Sequence, residues 1–237
     1  ESGYRFALGN PETTVDQITR QFRKDKRIIQ VKDGSRMMCT LKEVLAEERR
    51  MVELAQAGRG KMIPLYRSPP SLSFHGEQAV TARHILTSPD RVMIIRGGAG
   101  TGKTTLMKET AQRINDVGKQ VIVVAPTAQA SRGVLRDEGF KDAETVAKLL
   151  ADPKLQERLA GNVLWVDEAG LLGTKDMTAL LALAEKYDAR LVLAGDVRQH
   201  AAVVRGDALR ILETVAGIIP QTVNKIYRQK SKAYRDA

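Results

Sequence analysis

The run Gly97-Gly98-Ala99-Gly100-Thr101-Gly102-Lys103-Thr104-Thr105 has the spacing of a phosphate-binding loop: a glycine, four residues, then Gly-Lys-Thr. It follows an apolar run and opens a helical pattern. In that context the loop turns successive N–H groups toward a phosphate, and the helix N-terminus adds its dipole. Lys103 is expected to reach the β- and γ-phosphates of a nucleoside triphosphate, and Thr104 to ligate Mg²⁺. Downstream, Val-Leu-Trp-Val ends in Asp167-Glu168. At the carboxyl end of a buried strand, Asp167 can hold the Mg²⁺ shell through water, and Glu168 can orient or deprotonate the attacking water. A third apolar run, Leu191-Val192-Leu193, leads into Ala-Gly-Asp-Val-Arg-Gln-His, Ala194 to His200. If it ends at the same sheet edge, Gln199 lies near the γ-phosphate. A neutral amide there bonds phosphate and water without adding charge, while Asp196 fixes its loop.

The elements that must position these residues fall in two parts. In the first, residues 13–25 read as a helix. Residues 27–40 read as a hairpin turning at Asp33-Gly34. Residues 40–58 read as a long amphipathic helix with Thr40 as N-cap, Glu43 closing a capping box and Gly58 as its stop. Pro64, Pro69 and Pro70 break the stretch after it. The expected organisation is a small basic α+β domain over 1–60, a linker over 61–72 and an α/β domain over 73–237. In that last part, helices are expected over 76–88, 103–116, 128–139, 143–152, 174–187 and 206–217. Between them lie strands over 91–97, 120–126, 162–168 and 190–196. The strands are continuously apolar rather than alternating, the pattern of a mainly parallel sheet covered on both faces.

Composition narrows the partners. Of the net charge of +10, residues 1–72 carry +5, residues 73–220 carry +1 and residues 221–237 carry +4. Basic ends around a neutral middle suit a polyanion, nucleic acid above all. A single cysteine, Cys39, allows no internal disulfide and fits a reducing compartment. No apolar run reaches the ~18 residues of a membrane span, and no signal peptide is visible, so a cytoplasmic location is expected. His75, His84 and His200 lack metal-ligand spacing.

The segments His-Gly-Glu-Gln (75–78), the glycine loop, Val-Val-Ala-Pro-Thr-Ala-Gln-Ala (123–130), Glu-Thr-Val-Ala-Lys-Leu-Leu (144–150), Val-Leu-Trp-Val-Asp-Glu-Ala (163–169), the Gln199 stretch continued to Arg210, and Ile-Tyr-Arg-Gln (226–229) together carry a resemblance. They resemble the first motor domain of a superfamily 1 helicase of the RecD-like branch. Within that branch they are most similar to the helicase part of conjugative relaxases of the TraI/TrwC (MobF) type. The resemblance is strong over 73–232 and looser over 1–72. It implies a RecA-like P-loop fold binding ATP and Mg²⁺. It also implies that Gln78 reads adenine and that Gln199 senses the γ-phosphate. Arg228 would neutralise transition-state charge. Pro126 and Thr127 would contact the single-strand backbone, with Thr145 in a second DNA-contacting segment. Family members often carry a histidine where this chain has Ala147.

The resemblance further implies that a second motor domain and a relaxase part accompany this domain in a full-length chain. The expected function is an ATP-dependent helicase or translocase on single-stranded DNA, moving 5′ to 3′, weakly active as this domain alone. Two other readings stand beside it. One is a helicase-like module that grips DNA or a partner without productive hydrolysis. The other is a P-loop kinase, which needs an acceptor site and a lid that the sequence does not display.

Overall fold

Helix α1 (Val15–Lys24) begins where Thr14 can cap it: its hydroxyl accepts from the Gln17 N–H while the Gln17 side chain accepts from the Thr14 N–H. The computed structural model describes residues 14–98, 101–195 and 207–224. The chain divides into two compact units, Glu1–Arg49 and Arg50–Ala237. In the first, strands β1 (Ile28–Asp33) and β2 (Arg36–Leu41) pair antiparallel with Asp33 opposite Arg36. The turn is therefore Gly34-Ser35, one residue later than expected, and Gly34 takes φ +58, which glycine adopts at no steric cost. Thr40 does not cap a helix. It pairs with Ile29 in the ladder, and helix α2 (Lys42–Ala57) starts only after Leu41. A residue held extended by cross-strand hydrogen bonds has no freedom to turn its side chain onto a helix end.

The division between units falls inside α2, not after residue 60, because Met51, Leu54 and Ala55 belong to the core of the second unit. The expected linker belongs to that unit as well. Leu65, Tyr66 and Leu72 pack against a core cluster, and the Tyr66 hydroxyl donates to the Arg113 carbonyl at 2.8 Å.

The second unit carries helices α3 (Gly76–Thr87), α4 (Lys103–Asp116), α5 (Val146–Ala151), α6 (Pro153–Glu157), α7 (Thr174–Lys186) and α8 (Ala208–Thr214). Its strands are β3 (Val92–Arg96), β4 (Val121–Ala125), β5 (Glu144–Thr145), β6 (Val163–Val166), β7 (Arg190–Gly195) and β8 (Gln221–Thr222). They form one sheet, β5-β4-β6-β7-β3-β8, parallel at every pairing. The continuous apolar runs are explained by cover on both faces. Val92, Ile94, Leu164, Val166, Leu191 and Leu193 face α7 and α8, whereas Met93, Ile95, Trp165, Val192 and Ala194 face α3 and α4. The α/β fold expected from those runs, a mainly parallel sheet covered on both faces, is the fold observed.

Two expected helices differ. Residues 129–135 form a π-helix, with wider turns than α. Glu144 and Thr145 extend to pair with Val124 and Ala125 before α5 begins. Strand β8 carried no sequence signal, since two residues beside β3 are too short to show a period.

Arg190 opens β7 at 2% exposure. Its guanidinium donates to the carbonyls of Ser88 at 2.7 Å and Asp90 at 3.3 Å, and to Ile63. Burial pushes its pKa down, and the charges of Asp188 and Asp90 oppose that. One buried cation thus fixes the 61–72 segment to the strand bottoms. Arg190→Met would keep the stem and strip the donors from these carbonyls. It should cost about 2–4 kcal/mol and lower a thermal melt followed by circular dichroism by roughly 5–10 °C. A melt within a degree of the wild type would contradict this role.

Candidate nucleotide site and the adjoining sheet edge

The glycine loop leaves β3 at Gly97 and enters α4 at Lys103. The join is made by Gly102 at φ +79, in the left-handed region that favours glycine. Thr101 is buried and its hydroxyl donates to the Gly98 carbonyl at 2.9 Å, closing the loop on itself. Lys103 Nζ donates to the Gly97 carbonyl at 2.7 Å. An ammonium has three protons, so two remain for phosphate oxygens. Thr105 is exposed on the first turn of α4. Ala99 and Gly100 lie outside the described residues.

Strand order brings the acids to this loop. β6, which ends before Asp167, and β3, which ends before the loop, both pair with β7. Lys103, Thr104 and Asp167 consequently line one small cleft, floored by Ile95, Leu106, Trp165 and Ala194. Asp167 donates its backbone N–H to the Val124 carbonyl at 2.9 Å. Burial pushes its carboxyl up, and the nearby Lys103 ammonium works against that rise. A hydroxyl and a carboxylate beside an ammonium are the hard oxygen donors that suit Mg²⁺ next to a phosphate.

Glu168 is exposed and its backbone is left-handed, φ 53 and ψ 34. A side chain with a Cβ pays about 1–2 kcal/mol for that conformation, and such strain concentrates at functional sites. The residue caps the short 3₁₀ turn Ala169–Leu171, so its side chain leaves the chain at the strand tip instead of continuing down the sheet. Periodicity carried no hint of this turn.

Between these two strand ends lies Gly195, at the tip of β7. The Gly97 N–H donates to its carbonyl at 3.3 Å. A Cβ on Gly195 would come within 2.9 Å of the Gly170 nitrogen and 3.2 Å of the Ala169 nitrogen. Glycine is needed there because the turn after Glu168 passes across it. Asp196 and Gln199 follow, but residues 196–206 lie outside the described residues, as does Arg228.

Gln78, on the first turns of α3, is buried and donates Nε2 to the Gly102 carbonyl at 3.1 Å. It is thus tied to the loop's last residue, which sequence reasoning did not foresee. Its neighbour Glu77 accepts from the Asn224 N–H at 2.6 Å.

The three expected DNA contacts lie together at the carboxyl edge of β4 and β5. Thr127 is exposed and its hydroxyl accepts from the Ala130 N–H at 3.1 Å, while Ser131 donates to its carbonyl. Pro126 directly follows β4. Thr145 caps α5 by accepting from the Lys148 N–H at 3.1 Å, so its hydroxyl serves the fold.

A family model described as an AAA domain matches residues 73–237. The multifunctional conjugation protein TraI of Escherichia coli K12 is 30% identical in a match that covers 73% of this chain and 10% of that protein. The conjugal transfer protein TraA of Rhizobium radiobacter is 28% identical over 162 residues, 68% of this chain and 14% of that one. The ATP-dependent RecD2 DNA helicase of Deinococcus radiodurans is 35% identical over 148 residues, 60% of this chain and 20% of that one. The chain therefore spans about a tenth of the length of the TraI it matches.

Gly195→Ala forces its new methyl onto backbone atoms that cannot swing aside. It should destabilise the protein by about 1–3 kcal/mol and shift the turn that follows Glu168. A thermal melt checks this; a midpoint within a degree of the wild type would show that the turn has room to move.

Proposed function

The chain belongs to the AAA domain family, as a motor domain of the RecD-like kind found in TraI-type proteins, and on that premise we propose that it is the first half of an ATP-driven motor on single-stranded DNA. The observation that carries the reading is the convergence of Lys103, Thr104 and Asp167 in one cleft at the carboxyl edge of the sheet. The substrate is taken to be ATP, with Gln78 at the adenine, and the track single-stranded DNA followed 5′ to 3′.

The roles follow from chemistry. The Lys103 ammonium neutralises oxygens of the β- and γ-phosphates, and the loop amides hold the phosphate chain in place. Thr104 and Asp167 would hold Mg²⁺, which would supply further neutralisation of the phosphate charge. Glu168 stands at the strand tip, where its carboxylate orients the attacking water and takes its proton. Gln199 reports the γ-phosphate to the rest of the protein, and Arg228 adds positive charge as the phosphoryl group separates. Pro126, Thr127 and Thr145 lie along the DNA track. The relatives are several times longer. This domain is therefore proposed to form one wall of a cleft whose other wall, a second motor domain, brings more positive charge to the phosphates. A relaxase part would supply the nicked strand.

Two variants separate the roles. Lys103→Ala should abolish nucleotide binding at micromolar concentrations. Glu168→Gln should bind ATP with Mg²⁺ as the wild type does and lose about 10²-fold or more in turnover, the loss typical of removing a general base. Fluorescent-nucleotide titration and a steady-state phosphate-release assay read the two effects. Equal loss of binding in both variants would overturn the division of roles.

A further inference from the structure

The nucleotide chemistry makes no use of a charged cluster at the β5 edge of the sheet. Arg132 comes from the π-helix, Arg136 directly follows it as its C-cap, and Glu144 comes from β5. Arg132 donates Nε and Nη2 to Glu144 Oε2, at 3.2 and 2.9 Å. Arg136 donates Nη2 to Oε1 at 2.7 Å. One carboxylate therefore faces two guanidiniums, leaving one positive charge in excess. The two arginines are not equivalent. Arg136 also donates Nε to the Ala143 carbonyl at 3.0 Å, which pins it to the backbone. The described bonds of the Arg132 guanidinium go to the carboxylate alone, and half of its side chain is exposed. Arg132 can leave without breaking a backbone contact; Arg136 cannot.

The position of the cluster gives it meaning. Glu144 lies beside Val124, and Thr145 beside Ala125, one strand register from Pro126 and Thr127. The π-helix begins two residues after Thr127 and is anchored to it by Ser131. π-Turns are rare and recur at functional sites. A guanidinium fork fits a phosphate as well as it fits a carboxylate, and exposed ion pairs are held weakly.

We propose that Arg132 is a phosphate-binding residue for single-stranded DNA crossing the β4–β5 edge, that Arg136 keeps the cluster in place, and that Glu144 competes with the DNA backbone for Arg132. This rests on the reading of that edge as the DNA track. Burial alone would push the Glu144 carboxyl up. The Arg132 hydrogen bond and the charges of both arginines outweigh burial and hold it below its ordinary value, so the competitor is anionic at neutral pH. When a phosphate arrives, Arg132 exchanges one anion for another, and the released DNA counterions favour the exchange at low salt.

The competition gives an outcome that a purely structural ion pair would not. Binding of a fluorescein-labelled oligo-dT by the whole chain is followed by anisotropy across a salt series. Glu144→Gln should tighten binding about threefold to tenfold at low salt, because it frees Arg132 for a phosphate contact. Arg132→Ala should weaken binding by a similar factor and flatten the log–log salt slope by about 0.7, the share of one phosphate contact on a single strand. The double variant should bind like Arg132→Ala. Oligo-dT binding that is unchanged or weakened by Glu144→Gln, or a slope unchanged by Arg132→Ala, overturns the inference and leaves the DNA-track reading intact. No oligo-dT binding by the wild type overturns both. Arg132 is an exposed surface residue, so the slope of its variant decides the matter even if Glu144→Gln lowers the melting temperature.

Discussion

Everything at the candidate site depends on the close passage of three backbones at Gly195. The phosphate loop bonds its carbonyl from one side, and the turn that carries Glu168 crosses from the other, with no space for a Cβ. The distance between the glycine loop and Glu168, proposed to bind phosphate and to orient the attacking water, is therefore set by backbone contact rather than by long side chains. Backbone contact is stiff, and phosphoryl-transfer catalysis is mostly a matter of position and charge. The same pinch puts Gly195, the last described residue of β7, between the glycine loop and the turn after Glu168.

This geometry is held from outside by polar groups buried at unusual places. Arg190 ties the start of β7 to the carbonyls of the loop before β3 and of the 61–72 segment. Arg96, at the upper end of β3, pairs with Glu213 of α8, the helix that follows the Gln199 region. Strand β8 and the residue after it close the far side, with the Val223 N–H on the Arg96 carbonyl. The strand that carries the loop is thus bonded to β7, to β8 and to α8. The left-handed Glu168 and the π-helix after Thr127 are local departures from ideal geometry, and both lie at the carboxyl edge of the sheet. The core beneath them, apolar on both faces, offsets what they cost.

Much of the fold was legible because its causes are local. Helix α4 runs over the residues expected, Lys103–Asp116, since the loop's glycine and the apolar spacing mark both start and course. The four long strands of the second unit lie where their apolar runs lie. Hairpin and long helix were legible too, but their junction was not. Thr40 followed by Glu43 has the composition of a capping box, and a ladder partner, Ile29, overrides it. The proline-rich stretch looked like a linker because composition reports where backbone hydrogen bonds are missing. It says nothing of whether Tyr66 or Leu65 finds a core to pack against.

What the sequence by itself determined was chemistry: a lysine, a hydroxyl and adjacent acids after apolar runs, each type fitted to a phosphate, a metal or a water. Spacing along the chain suffices for that, because the phosphate loop is one continuous segment. What only the tertiary structure decided was adjacency. That β7 lies between β3 and β6 and that Gln78 bonds Gly102 are pairings between separate elements, and Glu144 meets its two arginines because β5 pairs with β4. Strand order is fixed by the packing of whole helices onto both faces of a sheet, a balance no local window contains.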